Sequence, residues 1–231
     1  MIKFNSLEEE IEFFSPNPEI SVKVERFADQ KLAIIDNFYK YPEKVREIVQ
    51  QIPSTRSPGI IHGLPGSRVE ATYHLGHLGY FFEEVINNVF SEDTANVEHD
   101  FIRNCLDRAS FLVNIQNSNL PPRCPHIDNP SSGRWAAGIY LNTPEECVGG
   151  TAFYKYKNET SVDIREALTI EDMKKYQFYV QETVGDWEKV FLAEMKFNRM
   201  VIYRQNALYT PYIPPNTFTD DKPRMIQMFF I

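Results

Sequence analysis

The sequence predicts a mainly β, α+β fold, with a β core in its second half and helices laid outside it. Three observations predict this. From about residue 110 onward, short apolar runs are separated by turn residues, the pattern of a sandwich or barrel. Before that point, two segments carry apolar residues at helical spacing, as helices with one buried face do. The length of 231 residues suits one domain better than two. Residues 1–109 are therefore expected to be helical and strand additions to a core spanning 110–231.

Taken in order, "KLAIIDNF" (31–38) is a short β-rich run ending in Asp36-Asn37. "YPEKVREIVQQI" follows with Val45, Ile48, Val49 and Ile52 at helical spacing, and Pro42 and Glu43 suit its first turn. "STRSPGIIHGLPGSR" (54–68) is loop, rich in proline and glycine. "GYFFEEVINNVF" (79–90) repeats the helical pattern through Phe82, Val85, Ile86 and Val89. The expected strands are 111–117, 134–142, 151–156, 199–204, 207–213 and 224–231. Between the third and fourth, residues 157–190 read as a partly helical insertion.

Composition narrows the function. With 42% apolar and 24% charged residues the chain has an ordinary globular composition. A net charge of -8 without a Lys/Arg cluster argues against nucleic acid or an anionic membrane as main partner. There is no apolar run of the roughly 20 residues needed to span a bilayer, and the start has no signal-peptide pattern. Cys105, Cys124 and Cys147 form neither a disulfide framework nor a zinc ribbon. The expected location is the cytoplasm, with reduced thiols.

The segment that carries chemistry is "PHIDNP" (125–130). Residues two apart on a strand point to one face, so the imidazole of His126 and the carboxylate of Asp128 can converge on a metal. An N,O pair completed by one more ligand, with positions left open, suits non-haem Fe(II) oxygen chemistry.

"PHIDNPSSGRWAAGIYLNTPEECVGGTAFY", "KFNRMVIYRQNALYTPYIP" and "KPRMIQMFFI" together resemble the double-stranded β-helix (jelly-roll) core of iron(II)/2-oxoglutarate-dependent oxygenases, in their prolyl-hydroxylase-like and uncharacterised branches. The resemblance covers roughly residues 110–231, and "IIDNFYKYPEKVREIV" also resembles the N-terminal segment of the uncharacterised branch. It implies an Fe(II)- and 2-oxoglutarate-dependent dioxygenase with a small-molecule cosubstrate. His126 and Asp128 match the first two iron ligands, and Arg224 matches the residue that holds the distal carboxylate of 2-oxoglutarate, a task suited to a bidentate guanidinium.

One position departs from the family. The five histidines are His62, His74, His77, His99 and His126, so none follows residue 126 to supply the second imidazole. Tyr209 in "QNALYTPYIP" stands at the best-matching place. Three accounts compete: a Tyr209 phenolate as third ligand, a ligand from His74 or His77, or a jelly-roll protein without catalysis that binds a ligand or partner. The substrate is not identified by the sequence.

Each residue also has a plainer reading. His126 and Asp128 can be a capped loop pair, Tyr209 a barrel aromatic, and Arg224 a partner of Asp220 or Asp221. Tyr140 and Asn142, candidates for cosubstrate contact, share with Asn114 and Tyr203 a polar place on expected strands. Gly149-Gly150 suits a tight turn.

Overall fold

A computed structural model describes residues 4–56, 66–91, 99–108, 111–118, 125–127, 134–156, 182–183, 185 and 187–231. In chain order its elements are α1 (Leu7–Phe13), β1 (Val22–Phe27), β2 (Gln30–Ile35), α2 (Pro42–Gln51), β3 (Thr55–Arg56), β4 (Ser67–Ala71), α3 (Gly79–Phe90) and α4 (His99–Arg108). There follow β5 (Phe111–Gln116), β6 (Trp135–Tyr140), β7 (Gly150–Tyr156), β8 (Trp187–Glu194), β9 (Met200–Arg204), β10 (Tyr209–Tyr212) and β11 (Arg224–Phe230).

The protein is mainly β, built from two antiparallel sheets and several helices. One sheet has eight strands in the order β1-β2-β9-β6-β11-β5-β4-β3, the other three in the order β10-β7-β8. Alternation along each strand of the large sheet assigns its two faces. Ala33, Ile35, Val113, Ala137, Ile139, Met200, Ile202, Met225 and Phe229 bury their side chains in one cluster with α2 and α3. Leu32, Ile34, Ala136, Tyr140, Val201, Tyr203, Ile226 and Met228 face the other way, against Phe153, Ala193 and Tyr209 of the small sheet. β6 is buried along its whole length, as a strand covered on both faces must be.

The helices form for the reasons expected. Pro42 opens α2, and Val45, Ile48 and Val49 are buried on one side of it. α3 buries Phe82, Val85, Ile86 and Val89. The structure adds α1, whose Ser6 hydroxyl accepts from the Glu9 backbone N–H at 3.2 Å, capping a first turn rich in glutamates. It also adds α4 and the strands β1, β3, β4 and β8. The expected helical insertion at 157–190 is corrected at its end: Trp187–Glu194 is strand β8, paired with β7 from Gly150↔Glu194 to Tyr156↔Trp187. Its Trp, Val and Phe fit a pleated surface. Residues 157–181, 184 and 186 lie outside the described residues. Among those described, no helix is long and apolar enough to cross a membrane.

Candidate functional site

His126 lies opposite Tyr209, the first residue of β10, in an isolated antiparallel bridge. Each backbone N–H donates to the other's carbonyl at 3.0 Å. Residues opposed in this way point to one side, and the two rings lie 4.6 Å apart between centroids. Tyr209 is buried; its ring is 5.1 Å from that of Tyr203 on the large sheet and 6.5 Å from Phe153 on β7. The imidazole thus sits at the edge of the space between the sheets, beside Tyr209. Asp128 lies outside the described residues. Among those described, no three His, Cys, Asp or Glu side chains gather as a metal cluster.

Arg224, the first residue of β11, is 1% exposed. It shares its face with Ile226 and Met228, as the strand reading requires, and it stands opposite Gln116 of β5. Its guanidinium donates to Gln116 Oε1 at 2.6 Å and, across the inter-sheet space, to the carbonyl oxygen of Gly150 at 3.1 Å. Both acceptors are neutral. The same guanidinium lies 5.5 Å over the Tyr140 ring, within cation–π range. A cation buried so deeply is costly unless hydrogen bonds and partner charge compensate it.

Tyr140 completes this end of the site. Its hydroxyl is 2.7 Å from Thr151 Oγ1 and donates weakly to the Ala193 carbonyl at 3.4 Å. Burial pushes the phenol above its ordinary value of 10.0, with the charge of Arg224 acting in the opposite sense, so Tyr140 is a neutral donor at physiological pH. Tyr203 is buried beside Tyr209, and Asn114 is half-buried opposite Ile226. Asn142 has another occupation. Its Nδ2 donates to the Pro223 carbonyl at 2.8 Å and to Glu146 Oε2 at 3.3 Å, and its Oδ1 accepts from the Met225 N–H at 2.7 Å. It clamps the chain around Arg224.

Three contributors were not singled out by sequence reasoning: Gln116, Thr151 and the Gly150 carbonyl. Alternation on β5 puts Gln116 in phase with Asn114, which is the signal that identifies it. Thr151 and Gly150 carry none, because their role depends on pairing between distant strands. Gly149 and Gly150 both have positive φ, 74° and 154°, in keeping with the tight turn expected there.

His74 and His77 are engaged elsewhere. His74 Nδ1 is 3.2 Å from Glu10 Oε1 of α1. The ring of His77 contacts the carbonyls of His74 and Phe14 at 3.0 and 3.3 Å. Both belong to the helical layer, the opposite side of the large sheet from Tyr209. Cys147 is half-buried, and burial pushes its thiol up to about 11, which disfavours the thiolate. At the edge of the small sheet farthest from His126, a cleft of about 380 Å³ is lined by Lys23, Glu25, Asp36, Phe191, Glu194 and Arg199. Asp36 there accepts from Arg199 at 2.6 and 3.1 Å and from Lys196 at 2.9 Å.

Comparison with curated proteins gives no match. A family model does match, over residues 16–226, and is described as "Family of unknown function (DUF6445)".

Proposed function

The chain belongs to this family of unknown function, and from its site we propose that it is an Fe(II)- and 2-oxoglutarate-dependent oxygenase acting on a C–H bond of its substrate. The observation that carries the proposal is the content of one inter-sheet space: His126 against Tyr209 at its edge, and a buried Arg224 joining both sheets.

Strand order supports a double-stranded β-helix as the scaffold. From β5 onward the chain visits the large sheet, the His126 segment, the large sheet, β7 and β8, the large sheet, β10 and the large sheet again. That alternation would put β5-β11-β6-β9 opposite His126-β10-β7-β8, as in the two four-membered layers of a jelly roll.

The residues fit the two groups in their chemistry. An imidazole and a phenol opposed across one bridge, with an aspartate two positions on in the sequence, would supply a mixed N,O donor set suited to iron. His126, Asp128 and Tyr209 would hold it, Tyr209 as the phenolate, because a bound cation lowers the phenol's pKa. Arg224 offers a planar fork to a carboxylate at the deep end, and Tyr140 adds a hydroxyl donor there. Iron and 2-oxoglutarate, when bound, supply oxidation of a C–H bond by dioxygen, with 2-oxoglutarate leaving as succinate and carbon dioxide. The chain's part is to orient and to exclude water. Arg224 would hold the far carboxylate and so orient the dicarboxylate, and Tyr203, Phe153 and Tyr209 wall the space with rings.

A second reading, an inactive jelly roll that keeps the pocket for binding a ligand or partner, is favoured by one observation: no histidine follows residue 126. Anaerobic titration with Fe(II) and 2-oxoglutarate separates the two. An oxygenase gives a weak visible charge-transfer band that is lost in Arg224→Lys, and succinate appears on admission of air. Absence of Fe(II) and 2-oxoglutarate binding contradicts the oxygenase. Binding without succinate favours the second reading.

A further inference from the structure

β6 ends at Tyr140, yet the chain keeps step with β11 for two more residues. The register Ile226↔Tyr140 places Asn142 opposite Arg224, and Leu141 N–H still donates to the Met225 carbonyl at 3.1 Å. At Asn142 the ladder changes character. The side-chain amide takes over, holding the peptide groups on both sides of Arg224: its Oδ1 accepts from Met225 N–H, and its Nδ2 donates to the Pro223 carbonyl. Asn142 is fully buried, so each of these bonds is made away from competing water.

Asn142 is itself braced. Glu146 Oε2 accepts from Asn142 Nδ2 at 3.3 Å, from the Thr143 N–H at 3.2 Å and from Arg46 Nη2 of α2 at 3.1 Å. Burial opposes ionisation of Glu146, but the Thr143 N–H, Arg46 and Asn142 together hold its carboxyl below the ordinary value. The ionised form is the one that can receive all three donors. A chain of hydrogen bonds, charge-assisted at Glu146, thus runs from α2, through the turn after β6, to the backbone that carries Arg224.

We propose that Asn142, braced by Glu146 and Arg46, is the positioning residue for Arg224, and that it sets the grip of the site on the distal carboxylate of its dicarboxylate cosubstrate. The inference rests on the oxygenase reading above, because it takes the Arg224 guanidinium as the carboxylate's partner. A planar fork needs its direction fixed as well as its charge. Gln116 Oε1 and the Gly150 carbonyl orient the guanidinium from its tip, while Asn142 fixes its root. Loss of the root hold leaves the charge in place but lets the fork wander.

The test compares two keto acids that share the metal-binding end and differ at the other: 2-oxoglutarate, and 2-oxovalerate, which has no distal carboxylate. Their affinities for the full chain are measured by calorimetry in the presence of Mn(II). Wild type is expected to prefer 2-oxoglutarate. Asn142→Asp keeps an acceptor for Met225 but removes the donor to Pro223; it should weaken 2-oxoglutarate about tenfold and leave 2-oxovalerate unchanged. Arg46→Ala, at the partly buried outer end of the chain of bonds, should give a smaller loss with the same selectivity, and serves if Asn142→Asp fails to fold. Variants that keep the full wild-type preference, or that lose both acids equally, overturn the inference while leaving the oxygenase reading intact. A wild type without any preference overturns that reading and the inference together.

Discussion

In the oxygenase reading, Tyr209 is the residue on which the chemistry would turn. Its ring meets the His126 ring from the strand position at which the oxygenase pattern has an imidazole. A phenol must lose its proton to ligate, at a cost that neutral imidazole does not incur. Tyr209→His is therefore expected to tighten anaerobic Fe(II) binding by about tenfold; unchanged affinity would show that another group completes the site. Asp36 gives a prediction of a different kind. Hydrogen bonds from Arg199, then from Lys196, hold its carboxyl at about 2, against an ordinary value of 3.8. A folded-state pKa below the unfolded one stabilises the fold above the unfolded value, and that stability is lost as pH falls through the folded value. With partial exposure discounted, the contribution is about 1–2 kcal/mol. Thermal melts between pH 5 and 2 should show Asp36→Asn less stable than wild type at pH 5 and the gap closing toward pH 2; a constant gap would contradict the pairing. His126 was singled out by residue type and spacing, and Arg224 by the resemblance to oxygenases. Gln116 and Thr151 were not, since their contacts join strands far apart in sequence.

At the level of elements, α2 and α3 were readable because their apolar residues repeat at the helical period and end at clear punctuation. Six of the β-core strands also fell near their expected places. β8 was missed for a physical reason: "WEKVFLAE" is of intermediate burial through its middle four residues, and its apolar and polar residues do not alternate cleanly. α1 has a capping serine but only seven residues and no buried side chain, so amphipathic spacing had nothing to register. The Gly149-Gly150 pair shows an element boundary with a definite steric demand. At Gly149 an added Cβ would lie 2.2 Å from the Tyr212 carbonyl oxygen, in a left-handed conformation that L side chains rarely adopt. Gly149→Ala should destabilise the fold by about 2–4 kcal/mol in urea unfolding. Because the neighbouring Gly150 carbonyl accepts from Arg224, the same substitution should also weaken 2-oxoglutarate binding; a wild-type urea midpoint would contradict the steric account.

On the scale of the whole molecule, the two faces of the large sheet divide the labour. One packs mostly apolar side chains against the helices, with Gln227 accepting from the Tyr39 hydroxyl there. The other looks onto the small sheet, where Arg224, Gln116 and Tyr140 meet Thr151 and the His126–Tyr209 pair. A ligand bound there touches both sheets and should stabilise them together. Metal with 2-oxoglutarate at a hundredfold excess over Kd corresponds to about 2.7 kcal/mol, or roughly 5–10 °C in the melting midpoint for a chain of this size, and Arg224→Lys should lose the 2-oxoglutarate share. An unmoved midpoint in wild type would speak against a site between the sheets. The most direct measurement is a crystal structure of the chain grown with Mn(II) and 2-oxoglutarate. The account predicts the metal on His126, with the distal carboxylate of 2-oxoglutarate on Arg224. A metal bound away from His126, or a dicarboxylate that does not reach Arg224, would contradict it.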